Sequence, residues 1–400
     1  MSNRPEISAI LAGVRERFAA STDFTIGLEE EFQLLDPVTL ALVNRFEAVT
    51  AAADPALRDR LAGELIASEI EFKTRPHVDL THAARELARG RLDLCTTADR
   101  LGLAIGITGV HPYSPWTQQR IIDTPHYRLV EGELGYLAWT NNSWALHLHC
   151  GVRDADRAIK VSTRMRSVLP DLLALSANSP IFGGRDTRLA STRTQIFVRS
   201  FPRCGIPDAY ADWDDYAAHV AFLERAGSIS ESTQIWWSVR PHHAFGTVEV
   251  RICDGQTELG DTLGLAALMI ALIAEFCAQL DDGRTLAVHP RSHIEENLWR
   301  AERYGLDGQL IDLDTGDPRP ARVAIVELLE TTRAHHGPLG LTPWIDRVAD
   351  MLEHGNGAMR QRALLEAYGG DLRAVHAQVV ERTRASAQEI LSQHTTGARA

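Results

Sequence analysis

Residues 25–37, "TIGLEEEFQLLDP", place three consecutive glutamates inside a segment that is otherwise mostly apolar. Read as an extended strand, its side chains alternate between two faces with period two. Ile26, Leu28, Phe32 and Leu34 then share one face, and Gly27, Glu29, Glu31 and Gln33 share the other. Glu30 falls on the apolar side and Leu35 on the polar side. Glu29 and Glu31 would stand roughly 7 Å apart and point the same way. A solvated strand face is the plain explanation of such a pair, since exposed glutamate is ordinary. The neighbouring segments weigh against it.

Five further segments repeat the pattern. In "IASEIEFKT", Ile66, Ile70 and Phe72 oppose Glu69, Glu71 and Lys73. In "SWALHLHCGV", Trp144, Leu146, Leu148 and Val152 oppose His147, His149 and Gly151. In "FGTVEVRICD", Val248, Val250 and Ile252 oppose Thr247, Glu249 and Arg251. "RTQIFVR" sets Arg193 and Gln195 against Ile196 and Val198, and "QIWWSVR" sets Gln234, Trp236, Ser238 and Arg240 against Ile235, Trp237 and Val239. A face merely wetted by solvent is usually rich in Lys, Thr, Ser and Asp. These faces select Glu, His and Arg, with a single lysine. Clustered carboxylates repel one another unless cations intervene. Oxygen ligands in that number suit Mg²⁺ or Mn²⁺, with imidazole as an occasional partner. Arginines on the same surface bind phosphate oxygens in bidentate fashion. The reading is a metal–nucleotide cleft lined by a sheet. "FGGRDT" lacks the lysine of a phosphate-binding P-loop, so the nucleotide site is not of that kind.

The bulk numbers are compatible with this. The 400 residues, 44% hydrophobic and 24% charged, suffice for a large buried core. Strands interspersed with helices predict an α+β fold, one large catalytic domain over residues 1–400 with a helical part from 291 to 400 packed on it. Helices are expected over about 5–20, from Leu80 to Leu101 with leucines every seven residues, over about 154–177, and over 261–280. A net charge of −12 argues against nucleic acid or an anionic membrane surface as partner. The most apolar run, residues 262–274, falls short of the ~20 residues of a membrane span and predicts a buried core helix. Five widely spaced cysteines fit neither a disulfide framework nor a zinc site. With no signal-peptide pattern at the N-terminus, the expected location is the cytoplasm.

The segments "GLEEEF", "IEFKT", "LHLHCGV", "STRTQIF", "WWSVRP" and "TVEVRICD" occur in an order that resembles the YbdK-type carboxylate–amine ligases, described as glutamate–cysteine ligases of type 2. The resemblance covers residues 23–385 and includes "HPYSPW", "LLALSANSPIFGGRDT" and "WRAERYGLDG". It implies a glutamine-synthetase-like fold: a curved, mainly antiparallel sheet forming a funnel, helices on its outer face, ATP and Mg²⁺ (or Mn²⁺) on its concave side. It implies Glu29, Glu31, Glu71, His147 and Glu249 as metal ligands. Arg251, Arg193 and Arg240 would bind phosphate and stabilise the transition state. His149, two residues on from His147, is expected either on the substrate side or behind the metal ligands. The sequence departs from the family pattern in "TNNSWALHLHCGV" and in "EFKTRPH", both close to where the substrates would lie.

The implied activity is ATP-dependent joining of a small-molecule carboxylate to an amine through an acyl phosphate, with weak glutamate–cysteine ligation among its reactions, by a homo-oligomer. Rival readings are an ATP:guanidine phosphotransferase on the same fold and a metabolite sensor without catalysis. An acyl phosphate must be shielded from water, and "HPYSPW" and "SFPRCGIP" are the expected closing loops.

Overall fold

Strand β1 (Ile26–Leu35) forms where the alternation predicts it, ten residues long. The computed structural model describes residue 11 and residues 13–396. Six more strands complete the sheet: β2 (Leu61–Ala62), β3 (Glu69–Lys73), β4 (Ala104–Gly106), β5 (Leu146–Gly151), β6 (Val239–His242) and β7 (Thr247–Val250). Their lateral order is β6-β7-β5-β1-β3-β2, and β4 pairs with the C-terminal end of β1. Every pairing in this sheet is antiparallel.

Register gathers the polar residues. Glu31 lies opposite Glu71, and Glu29 opposite Lys73 on one side and His147 on the other. His149 lies opposite Glu249, and Glu249 opposite Arg240. Directly opposed residues share a face of the sheet. Five hydrogen-bonded strands thus carry acids, imidazoles and a guanidinium side by side.

The other face is the core. Ile26, Leu28, Phe32, Leu34, Ile70, Phe72, Leu146, Leu148, Val248 and Val250 are all buried. Helix α1 (Leu80–Arg100) covers β1 and β3, α2 (Ala155–Met165) covers β6 and β7, and α3 (Leu259–Asp281) lies behind β5. Gly90 is what lets α1 approach so closely. A Cβ there would meet the Phe72 ring at 2.2 Å. Glu30, on this side as the alternation requires, is buried in a bidentate ion pair with Arg91 of α1, at 2.7 Å and 2.5 Å, and accepts the Thr262 hydroxyl of α3 at 2.7 Å.

Helix α3 has 23 residues, longer than its most apolar run, and is long and apolar enough to cross a membrane. Length alone therefore does not decide the role of α3. Its burial does: 78% of its most apolar stretch lies inside the protein. Helices Ala321–His336 and Thr342–His354 pack on α3, and Leu372–Thr396 packs on α1 and β4. The polar interruption after residue 304 contains a short hairpin, Gln309–Ile311 with Pro318–Pro320.

Two expectations change. "RTQIFVR" is no strand but a π-helical turn, Thr194–Val198, and Ile196 is only half-buried. The physical cause is the Arg193 guanidinium, which donates to the carbonyls of Arg251 and Ile252 at 3.2 Å each and ties the turn to the end of β7. "QIWWSVR" is broken. Gln234 sits in a 3₁₀ turn, Trp236–Trp237 pairs in parallel with Cys204–Gly205, and only Val239–His242 joins the main sheet. Of the helix expected over 5–20, Val14–Ala20 is helical, while residues 5–10 and 12 lie outside the described residues.

Candidate active site

The polar face of the sheet walls a cavity of about 450 Å³. Glu29, Glu31, Glu71, His147, Glu249, Arg193, Arg240 and Arg251 all line it, although Arg193 arrives from the π-helical turn rather than from a strand. Glu249 is fully buried between two arginines: Arg240 Nε is 2.5 Å from its carboxylate, and Arg251 Nη1 bonds its other oxygen. Burial opposes its ionisation, but Arg240 and Arg251 outweigh that and hold its carboxyl well below the usual range.

Three groups of ligand atoms lie close enough to share an ion: Glu29, His149 and Glu249; Glu29, Glu71 and His147; Glu31, Glu64 and Glu71. Glu29 and Glu71 each belong to two groups, so the three positions form a connected row. His147 Nδ1 is 3.2 Å from Glu29 and 4.0 Å from Glu71, while its Nε2 is 3.8 Å from Glu31. His149 Nε2 is 3.5 Å from Glu29 and 3.8 Å from Glu249. Its Nδ1 meets the Thr247 hydroxyl at 3.0 Å, the kind of outer contact that fixes a ligating ring. Both histidines thus stand in ligand positions, where the sequence reading gives that place to His147 alone.

The sequence reading starts the second strand at Glu64, where the alternation sets it on the apolar side with Ile66; it was missed because the strand forms only over Glu69–Lys73 and leaves Glu64 outside it. Glu64 lines the cavity beside Glu31 and Glu71. Burial, then the Glu31 charge, pushes its carboxyl up to about 7. Burial and neighbouring carboxylates likewise push Glu69 and Glu71 well above the usual range. Glu69 Oε2 is buried without a hydrogen-bond donor. Side chains in this state fit divalent cations well: the donors are carboxylate oxygens and imidazole nitrogens, and their mutual repulsion falls once a cation sits among them. Glu29 differs. Burial disfavours its charge, but His147, His149 and Lys73 hold its carboxyl well below the usual range.

The expected closing loops fare unequally. No residue of "HPYSPW" lines the cavity. His111 is buried, its ring bonded to the Leu40 carbonyl and to the Ser114 backbone N–H, so this loop is part of the frame. From "SFPRCGIP" only Phe201 reaches the cavity, because Cys204–Gly205 is tied to Trp236–Trp237. Part of the remaining wall comes from the helix Pro125–Leu134, through His126, Tyr127 and Val130, and from Asn141 and Ser143.

Comparison with solved structures places this architecture. The glutamate–cysteine ligase of Francisella tularensis, solved in complex with AMP, superposes with a TM-score of 0.64 over 94% of this chain and 93% of its own, at 13% identity. A bifunctional glutathione synthetase from Pasteurella multocida superposes with a TM-score of 0.64 over 95% of this chain and 54% of its own, at 16% identity. The fold is accordingly that of the glutamate–cysteine ligases, a glutamine-synthetase-like funnel. In sequence, the chain matches glutamate-cysteine ligase family 2 over residues 25–386. A Rubrobacter xylanophilus protein named "Putative glutamate--cysteine ligase 2-3" is 39% identical over 368 residues, 92% of this chain and 99% of its own. A Solibacter usitatus protein of the same family name is 37% identical over 360 residues, 90% and 93% of the two chains. The chain belongs to glutamate-cysteine ligase family 2 and is a carboxylate–amine ligase of the glutamate–cysteine ligase type.

Proposed function

We propose that this ligase uses ATP and Mg²⁺, or Mn²⁺, to join a small-molecule carboxylate to an amine through an acyl phosphate. The observation that carries the reading is the connected row of ligand groups on one face of the sheet, ending in Arg240 and Arg251. A carboxylate oxygen of the acid attacks the γ-phosphorus of ATP, and the bond to ADP breaks. The amine then attacks the acyl carbon, phosphate leaves with the oxygen that had bridged, and the amine gives up a proton.

Glu29, Glu31, Glu64, Glu71, Glu249, His147 and His149 would hold the divalent ions. Bound there, those ions offset charge on the transferring phosphoryl group. Arg251 and Arg240 are held in place by Glu249, and Arg193 by backbone carbonyls, so all three arrive pre-oriented for anionic oxygens. No side-chain nucleophile is required. The name of the Francisella relative, solved with AMP, supports an adenine nucleotide as co-substrate, and the family name supports glutamate as the first acid to try with cysteine among the amines.

The test is a hydroxylamine trap. With ATP, Mg²⁺ and a panel of acids, the enzyme should yield a hydroxamate of its acid substrate. A phosphorylated guanidino compound and no hydroxamate would instead establish the phosphotransferase, and no turnover of any kind would leave a sensor.

A further inference from the structure

Lys73 follows the cavity's acids on β3 and lines two cavities at once. One is the acid-lined cavity; the other is a neighbour of about 590 Å³ that also touches Glu29, His149, Phe245 and Arg60. Its Nζ is 2.6 Å from Glu71 Oε2 and 3.6 Å from Glu29 Oε1. Those two carboxylates belong to the same ligand group as His147. The ammonium therefore does for them what a divalent ion would do, and it does so from the open side, with its side chain 42% exposed. Lys73 and Lys160 are the two lysines in a chain whose lysines and arginines number 41. The difference matters physically. An ammonium is a compact point charge on a flexible stem, while a guanidinium is a planar fork suited to bidentate pairing.

We propose that Lys73 is the resident counter-cation of the Glu29–Glu71–His147 position, and that it yields the two carboxylates when a divalent ion binds. The proposal rests on the metal-binding reading above. In the metal-free protein Lys73 keeps Glu29 and Glu71 from repelling each other. Once an ion occupies the position, a second positive charge beside it is repelled, and the flexible stem can carry the ammonium toward the neighbouring cavity. There it joins Arg60 and offers its charge to an anionic oxygen of an incoming substrate. Metal binding and anion binding are coupled by this exchange, the ion first.

Having two lysines makes the exchange directly readable. Lysine labelled with ¹³C at Cε gives two side-chain signals by NMR, assigned with Lys73→Met, and exposed Lys160 on α2 is an internal control. Titration with Mg²⁺ alone should shift the Lys73 signal and leave that of Lys160 in place. By calorimetry, Lys73→Met should bind Mn²⁺ roughly tenfold more tightly, since a competing unit charge a few ångströms away is gone. Its metal-free form should melt at lower temperature than the wild type, and the difference should close at saturating Mn²⁺. If the wild type binds Mn²⁺ by calorimetry yet the Lys73 signal stays fixed, the exchange is refuted and the metal site stands. If no ion binds at all, the metal-binding reading itself fails.

Discussion

Glu29, Glu30 and Glu31 are chemically identical and do different work because a strand turns alternate side chains to opposite faces. Glu29 and Glu31 reach the cavity, whereas Glu30 is sealed against Arg91 with both side chains essentially inaccessible. Glu29→Gln or Glu31→Gln should abolish Mg²⁺-dependent turnover while leaving urea unfolding little changed. Glu30→Gln should do the reverse. Breaking a buried ion pair costs about 3–5 kcal/mol, so its unfolding midpoint should fall sharply while the folded fraction keeps its activity. Equal loss of activity per folded molecule in all three variants would defeat the alternation argument. The period-two pattern put Glu29, Glu31, Glu71, His147, Glu249, Arg240 and Arg251 on one face in the sequence and the family resemblance gave them roles, whereas Arg193 was read from a strand that does not form. Glu64 was not legible, because it stands outside any strand, and nothing in its spacing places it beside Glu31.

Glu64 also sets a pH dependence. Its folded-state carboxyl sits at about 7 instead of the ordinary 4.5, so between these values the folded metal-free protein holds more proton than the unfolded chain. Its contribution to stability is therefore fully present below about 4.5 and is lost as pH rises through about 7. A divalent ion must displace that proton. At pH 6, Mg²⁺ binding should release protons, measured by calorimetry in buffers of different ionisation enthalpy, and Glu64→Gln should lower the number released. Unchanged release in Glu64→Gln would remove this residue from the ligand set.

At the scale of elements, local pattern succeeded where one partner surface dominates and failed where a single side chain dictates the path. β1, β3, β5 and β7 were readable because each lays one apolar face on helices. The turn after Arg193 was not, because four alternating residues mimic a strand while the guanidinium's bonds to the carbonyls of residues 251 and 252 require a different path. The heptad leucines of α1 likewise announce its buried stripe but say nothing of Gly90 lying against Phe72. On propensity alone Gly90→Ala should stabilise a helix by about 0.8–1.0 kcal/mol. Here the added methyl has no room, and overpacking of about 1–3 kcal/mol should dominate. Thermal melts should show Gly90→Ala less stable than the parent. A more stable variant would mean that α1 can retreat from β3 freely.

At the scale of the whole molecule, the sheet divides its labour by face. Helices α1, α2 and α3 bury one side, and the acids, imidazoles and arginines occupy the other. Such a concentration of buried carboxylate is expensive unless cations repay it, which is why the same face is the place to look for metals and phosphate. In the proposed mechanism the acid's own carboxylate oxygen is phosphorylated on this face before the amine arrives. The direct measurement uses an acid substrate labelled with ¹⁸O in its carboxylate and mass spectrometry of the phosphate released during amide formation. One ¹⁸O atom should pass to phosphate for each bond formed. Amide formation with unlabelled phosphate would contradict this mechanism.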